Sequence, residues 1–381
     1  MPSIESNPLS HSAKGMLREV QRLPTSGARA VEPFCHHGEQ YLAVPQLAMD
    51  QAGQAASMTL GNSAVDLIVY RWLDGRFAEH QRLPVPGGED AECFAIGERR
   101  FLATASLRAG AGPYDMKVQS TVYELKGDRF EPFQSFDTYA AKQWTHFSIG
   151  ELHFLALAQG ALLPGAQAQN RRSAIYQWED EREGGRFNLL QEIDSAWGYN
   201  WLHFEAAGEH LLAYADQAEP SRVLRWNGQQ FEAWQTLEGA SGRAFCAFKA
   251  DGEQWLVFAC LHADTVLYRL HEKRFVPYQT LSGPGGREFE WLPGSGAGDE
   301  SHLVQINFIL GTREAPQPLQ TSVVHAWRGG RLEAVDSFVT SGGTDAAAFT
   351  VGGKRYLAVS NSLSADVRFR TDTLVYEIGG V

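Results

Sequence analysis

Residues 69–81 read VYRWLDGRFAEHQ, and the same phrase returns as VYELKGDRFEPFQ from Val122 and VLRWNGQQFEAWQ from Val223. It returns again as VLYRLHEKRFVPYQ from Val266 and, lengthened by an insertion, as IYQWEDEREGGRFNLLQ from Ile175. A phrase repeated at this spacing is the mark of an architecture built from identical units. The closing Gln serves as a ruler: Gln21, Gln81, Gln134, Gln191, Gln235 and Gln279, with Asp336 in the seventh place.

Each ruler is followed by a turn marked by Gly or Ala and then a second phrase, such as FAIG at 94, FSIG at 147 and FTVG at 349. A third phrase follows, for example YLAV at 41, FLATA at 101 and LLAYA at 211. Every unit thus holds four short segments rich in Val, Leu, Tyr, Phe and Trp, most of them too short for helices. The dipeptides Asp74-Gly75 and Asn227-Gly228 suit tight hairpins that need positive φ. Four antiparallel strands repeated seven times predict an all-β fold, a seven-bladed β-propeller. One four-stranded sheet cannot bury both faces alone, whereas seven stacked around an axis can. With strands a to d counted outward from the axis, VYRW is strand c and FAEHQRL is strand d. The chain opens with a strand d at 17–23 and closes with a strand c at 373–378, so its first strand is expected to complete the last blade. Residues 1–15 read as a loose tail, and 16–381 as one propeller domain.

Phe-x-x-x-Gln, Phe-x-x-Gly, an aromatic-Leu-Ala segment and Val-Tyr-x-Trp, in that order, resemble the EAR repeat, also called EPTP, of the LGI and TSPEAR-like family. The resemblance covers residues 16–381 and is specific because seven units run in register. It implies a seven-bladed interaction propeller with no established chemistry, and calcium in the central channel of some members. The chain is expected to be a stand-alone, bacterial-type member.

Composition narrows the partners. The formal charge is −12 with a pI near 5.5, which argues against nucleic acid or an anionic membrane. No apolar run is long enough to cross a bilayer as a helix. The first fifteen residues lack the basic start and apolar middle of a secretory leader, so a cytoplasmic location is expected, and a secreted one only if a leader was removed. Cys35, Cys93, Cys246 and Cys260 fit no metal or redox spacing and are expected to be free thiols.

Loop length varies most between strands b and c, at 45–64, 106–120, 158–173 and 310–322, and all four loops are expected to crown one face. Long loops on a rigid scaffold are where recognition sits. At the same face, four residues before the Phe position of each strand a, stand Ala30, Asp90, Gln143, Asn200, Ala244, Glu288 and Asp345. Asp90, Glu288 and Asp345 form a candidate oxygen-ligand set for Ca²⁺, against the plainer reading of polar residues at a hydrated channel mouth. Gln143 and Asn200, together with Trp144, His146, Trp201 and His203 of the adjoining WTHF (144–147) and WLHF (201–204), are candidate partner contacts. Inter-blade packing explains the Trp residues equally simply.

No P-loop, G-x-S-x-G or H-E-x-x-H is present. The function expected is a non-catalytic scaffold that recognises a protein or peptide on the crowned face. The alternative is an enzyme or small-molecule binder with a pocket at the channel mouth, and the same Trp, His and carboxylate residues would then be the first suspects.

Overall fold

The computed structural model describes residues 15–160, 172–180, 184–294, 296 and 298–379. Every regular element among them is a strand, and seven four-stranded antiparallel sheets form a ring. Blades 1 to 6 occupy residues 32–83, 88–139, 143–193, 198–237, 242–282 and 286–341, each in the order a-b-c-d. Blade 7 takes strands a to c from 343–378, and Leu17–Ser26 pairs with Arg370–Ile378 as its strand d. The expected closure by the first strand is therefore present. Each blade buries both faces against its neighbours. Phe94, Trp144 and Phe187 share one such cluster, and Phe147, Trp201 and Phe231 share the next. All four cysteines are free thiols.

The Asp74-Gly75 turn has both residues at positive φ, 49° and 82°, as a two-residue hairpin requires. The turn at 227 differs from its expected form. Only Gly228 has positive φ, and the Asn227 side chain instead accepts hydrogen bonds from the amides of Gln229 and Gln230.

The ruler residues clasp neighbouring blades. Gln191 donates through Nε2 to the Phe231 carbonyl and accepts through Oε1 from the Phe231 amide, both at 2.8 Å. Gln21, Gln81, Gln134, Gln235 and Gln279 repeat this pair of bonds on Phe77, Phe130, Phe187, Phe275 and Leu332. At the seventh joint Asp336 accepts from the Met16 amide at 2.6 Å, and a carboxylate has no N–H to give back. A β-bulge precedes every ruler on its strand, as where Gln81 pairs with Val69 but Glu79 pairs with Tyr70. The extra residue turns the next side chain across to the adjoining blade. Gln191→Ala removes two hydrogen bonds from one joint, and a loss of about 1–3 kcal/mol is expected in urea denaturation. A change within about 0.5 kcal/mol, the usual size at an uninvolved surface position, would show that the clasp does not hold the ring.

Candidate functional site

The innermost strand of a blade has a free edge, and its backbone amides need acceptors. The oxygen-bearing residues of strand a supply them to the next blade. Asp90 Oδ2 accepts from the Trp144 amide at 2.8 Å, Gln143 Oε1 from the Trp201 amide at 2.5 Å, and Asp345 Oδ2 from the Val31 amide at 2.9 Å. Two residues further along, Glu32, Glu92 and Glu290 accept in the same way from Cys93, His146 and Ala348. Glu288 accepts from the amide of its own neighbour Phe289, and buried Asn200 has an unpartnered Oδ1. These side chains therefore seal strand edges along the channel.

Among the described residues, no three His, Cys, Asp or Glu side chains gather as a metal site. Asp90, Glu288 and Asp345 face the same channel space, yet a hard cation needs several oxygens converging at about 2.3–2.6 Å. As arranged, the three do not fit it. Burial instead makes them poor anions. It raises Asp90 to about 7 and Asp345 to about 6, the latter against the opposing Val31 amide, and it raises Glu288 well above the carboxylate range.

Trp144 and Trp201 are 0% and 1% exposed. Trp144 packs on Phe136 and donates through Nε1 to the Thr104 carbonyl, and Trp201 packs on Tyr214 with ring centroids 4.0 Å apart and planes tilted by 35°. Both rings fill blade interfaces and form no wall at the mouth. His146 stacks on Phe94 at 4.3 Å and shares a hydrogen bond with His153, while His203 stacks on Phe147 at 4.6 Å. Burial lowers their pKa values to about 3 and about 4, so both rings are neutral. The alternation of a strand places these side chains between blades, opposite in parity to the channel-facing carboxylates.

The residues that shape the mouth lie one position before Ala30, Asp90, Gln143, Asn200, Ala244, Glu288 and Asp345, within or just ahead of each strand a, and no sequence expectation named them. They are Arg29, Glu89, Lys142, Tyr199, Arg243, Arg287 and Thr344, and all are buried. In blades 2, 4, 5, 6 and 7 this residue is the extra one of a β-bulge. The bulge releases it from the alternation and turns it towards the axis. The available sequence signal was the preceding glycine, at Gly88, Gly198, Gly242, Gly286 and Gly343. A Cβ at Gly242 would lie 2.4 Å from Ser221 Oγ, and one at Gly198 would lie 2.3 Å from the Tyr214 hydroxyl, so packing demands glycine there.

Within this layer Glu89 pairs with Arg29 at 3.0 Å and with Lys142 at 2.5 Å. Burial alone would raise its carboxyl, but these two cations hold it down at about 2. Lys142, Arg243 and Arg287 also surround the Tyr199 ring, at 4.9, 4.2 and 4.7 Å from its centroid. Burial opposes ionisation of the phenol, yet the surrounding cations outweigh it and bring its pKa down to about 7. Four cations thus share one carboxylate.

Arg287 and Thr344 line the channel space on one side of this layer, while Arg29, Glu89, Lys142, Tyr199 and Arg243 floor a cavity of about 470 Å³ on the crowned face. Its walls come from the b–c loops: Leu47 and Met58 of blade 1, Leu107 of blade 2, Leu261 of blade 5, Phe308 and Ile309 of blade 6, and Leu363 and Phe369 of blade 7. Trp197, just before strand a of blade 4, completes them. Three of the four expected crown loops thus meet here. The fourth, 158–173, falls mostly outside the described residues, and the 362–369 loop of blade 7 joins unforeseen. Arg108 secures the longest loop, donating to Ser63 Oγ and to the carbonyls of Thr59 and Leu60 while stacking over Tyr114.

Known proteins share this repeat. A family model of the EPTP domain matches residues 16–73, 76–125, 129–179 and 186–227, more than half of the chain. The thrombospondin-type laminin G domain and EAR repeat-containing proteins of Mus musculus and Homo sapiens are each 29% identical, over 189 and 190 residues respectively. Each match covers 48% of this chain and 26% of the relative, so the chain spans about a quarter of the length of the curated relatives it matches. Among solved structures, the crystal structure of BBS1N in complex with ARL6DN, soaked with mercury, superposes with a TM-score of 0.57 at 12% identity. The superposition covers 96% of this chain and 98% of that one and shows the fold alone. The matched EPTP segments begin and end at the c–d turns, so each takes strand d of one blade and strands a to c of the next. By that shared unit and its coverage, the chain belongs to the EPTP domain family.

Proposed function

We propose that this EPTP propeller is a non-catalytic scaffold that recognises a protein or peptide on its loop-crowned face. The observation that carries this reading is the convergence of long loops from blades 1, 2, 6 and 7 on one face. There they leave Met49 and Leu310 exposed, at 44% and 39%, each next in the chain to a member of a buried apolar cluster, Ala48 and Ile309. Apolar side chains held out by a rigid scaffold suit a protein contact. Family membership supports the same reading, since the resemblance to EPTP repeats implies an interaction propeller.

Affinity capture from the source lysate tests it, with the wild type beside a Met49→Asp/Leu310→Asp variant that melts like the wild type. A protein retained in stoichiometric amount by the wild type and lost by the variant is the expected result. Retention unchanged by both substitutions, or no protein retained above a control matrix, overturns it.

A further inference from the structure

We infer that the crown cavity is a receptor site for a small organic anion, an apolar body bearing one carboxylate. Its head would meet Arg243, Lys142 and Arg29, and its body would lie against Trp197, Phe308 and Leu363. This site needs no protein partner and goes beyond the scaffold reading.

The charge balance comes first. Glu89 serves Arg29 and Lys142, which leaves Arg243 and Arg287 without a carboxylate. Arg243 is 5% exposed, its Nε has no partner, and its one hydrogen bond runs from Nη1 to the Gly242 carbonyl at 3.3 Å. Arg287, 6% exposed and lining the channel side of the layer, likewise has an unpartnered Nε and adds its charge from behind the Tyr199 ring. A guanidinium carries five N–H donors in a fork that matches a carboxylate, and burying it unpaired is costly. Of the channel carboxyls beyond this layer, burial keeps Glu288 protonated and Asp90 partly so near neutral pH, while Asp345, ionised above about 6, accepts from the Val31 amide and forms no ion pair with Arg243.

The shape then selects the ligand. A cavity of about 470 Å³ falls within the range of small-molecule sites, roughly 300–1,000 Å³. Its walls are mostly aliphatic and aromatic, so a hydrated inorganic ion would forfeit its water against surfaces that return no hydrogen bonds. A second negative charge would face Glu89, whose Oε1 already lacks a donor, and this favours a monoanion over a phosphate. The floor fixes the head and the walls reward the tail.

Isothermal titration of the whole chain with sodium octanoate, 1-octanol and inorganic phosphate is the test. Octanoate should bind one to one, with 1-octanol and phosphate each at least about tenfold weaker, equivalent to about 1.4 kcal/mol. Arg243→Gln, shown to fold by circular dichroism and thermal melting, should weaken octanoate at least about tenfold. Ile309→Trp should do likewise by filling the cavity while leaving every cation in place. No saturable heat with millimolar octanoate, or equal binding of octanoate and octanol, overturns the inference. So does equal binding of octanoate and phosphate. If Arg243→Gln does not fold, the three wild-type titrations and Ile309→Trp decide the matter.

Discussion

Raising the pH from 6.5 to 8.5 is expected to destabilise the protein by about 2–4 kcal/mol, since each proton held by the folded chain and not by the unfolded one is worth about 1.4 kcal/mol per pH unit. Burial, with Asp90 adding to it, raises Glu92 to about 8, and burial raises Asp90 and Glu290 to about 7. A carboxyl whose folded pKa lies above its unfolded value contributes stability that is complete below the unfolded pKa. That stability is lost as the pH climbs through the folded value, so the losses fall between about pH 4 and 8. Two opposing groups fix the best place to look. Burial lowers His146 to about 3 and His203 and His325 to about 4, and these favour the fold as pH rises only up to their unfolded value near 6.5. Tyr199, held near 7 by its cations, opposes the trend above that pH by a single proton. Urea midpoints at pH 6.5, 7.5 and 8.5 measure the slope. Glu92→Gln keeps an acceptor for the His146 amide and removes the titration, so it should be more stable than the wild type at pH 8.5. A flat wild-type profile, or a Gln variant that is less stable at that pH, would refute the buried-acid account of the channel.

Glu89→Gln is expected to cost about 3–5 kcal/mol, the usual loss when one partner of a buried ion pair is removed. The change leaves Arg29, Lys142, Arg243 and Arg287 in one buried layer with no carboxylate among them. The same substitution should tighten octanoate binding, because the ligand would then supply the only carboxylate in that layer. Urea denaturation with and without octanoate reads both effects. A loss below about 1 kcal/mol, within the range of ordinary single substitutions, would mean that the layer is already solvated and that the carboxylate is not its keystone.

The site was less legible than the ring that carries it. The phrase around Val69 and the ruler glutamines located the blades and their strands, because turn chemistry and strand periodicity are local properties of the chain. The same alternation put Asp90, Gln143 and Asp345 on the channel side, but the purpose of their oxygens stayed open between a cation set and plain polar residues at the mouth. A ligand and an unpaired amide ask for the same oxygen, and only the position of the next blade shows which is present. Trp144 and Trp201 were open to two readings for a similar reason. A large ring at a strand start looks alike in sequence whether it faces solvent or the neighbouring sheet.

Sequence by itself determined the number of blades, their four-strand make-up and the closure by Leu17–Ser26, since each rests on a pattern repeated at short range. Tertiary structure alone decided what the bulges do. One extra residue before each ruler aims Gln191 and its counterparts across a joint, and one extra residue at the start of strand a turns Tyr199, Arg243 and Arg287 inward. A bulge shifts the alternation by one position, so side chains that a regular strand would place between blades arrive together at the axis. There Glu89, Tyr199 and Arg243 meet Arg29 and Lys142, which stand just before their strands, and these residues from five blades make the cationic floor.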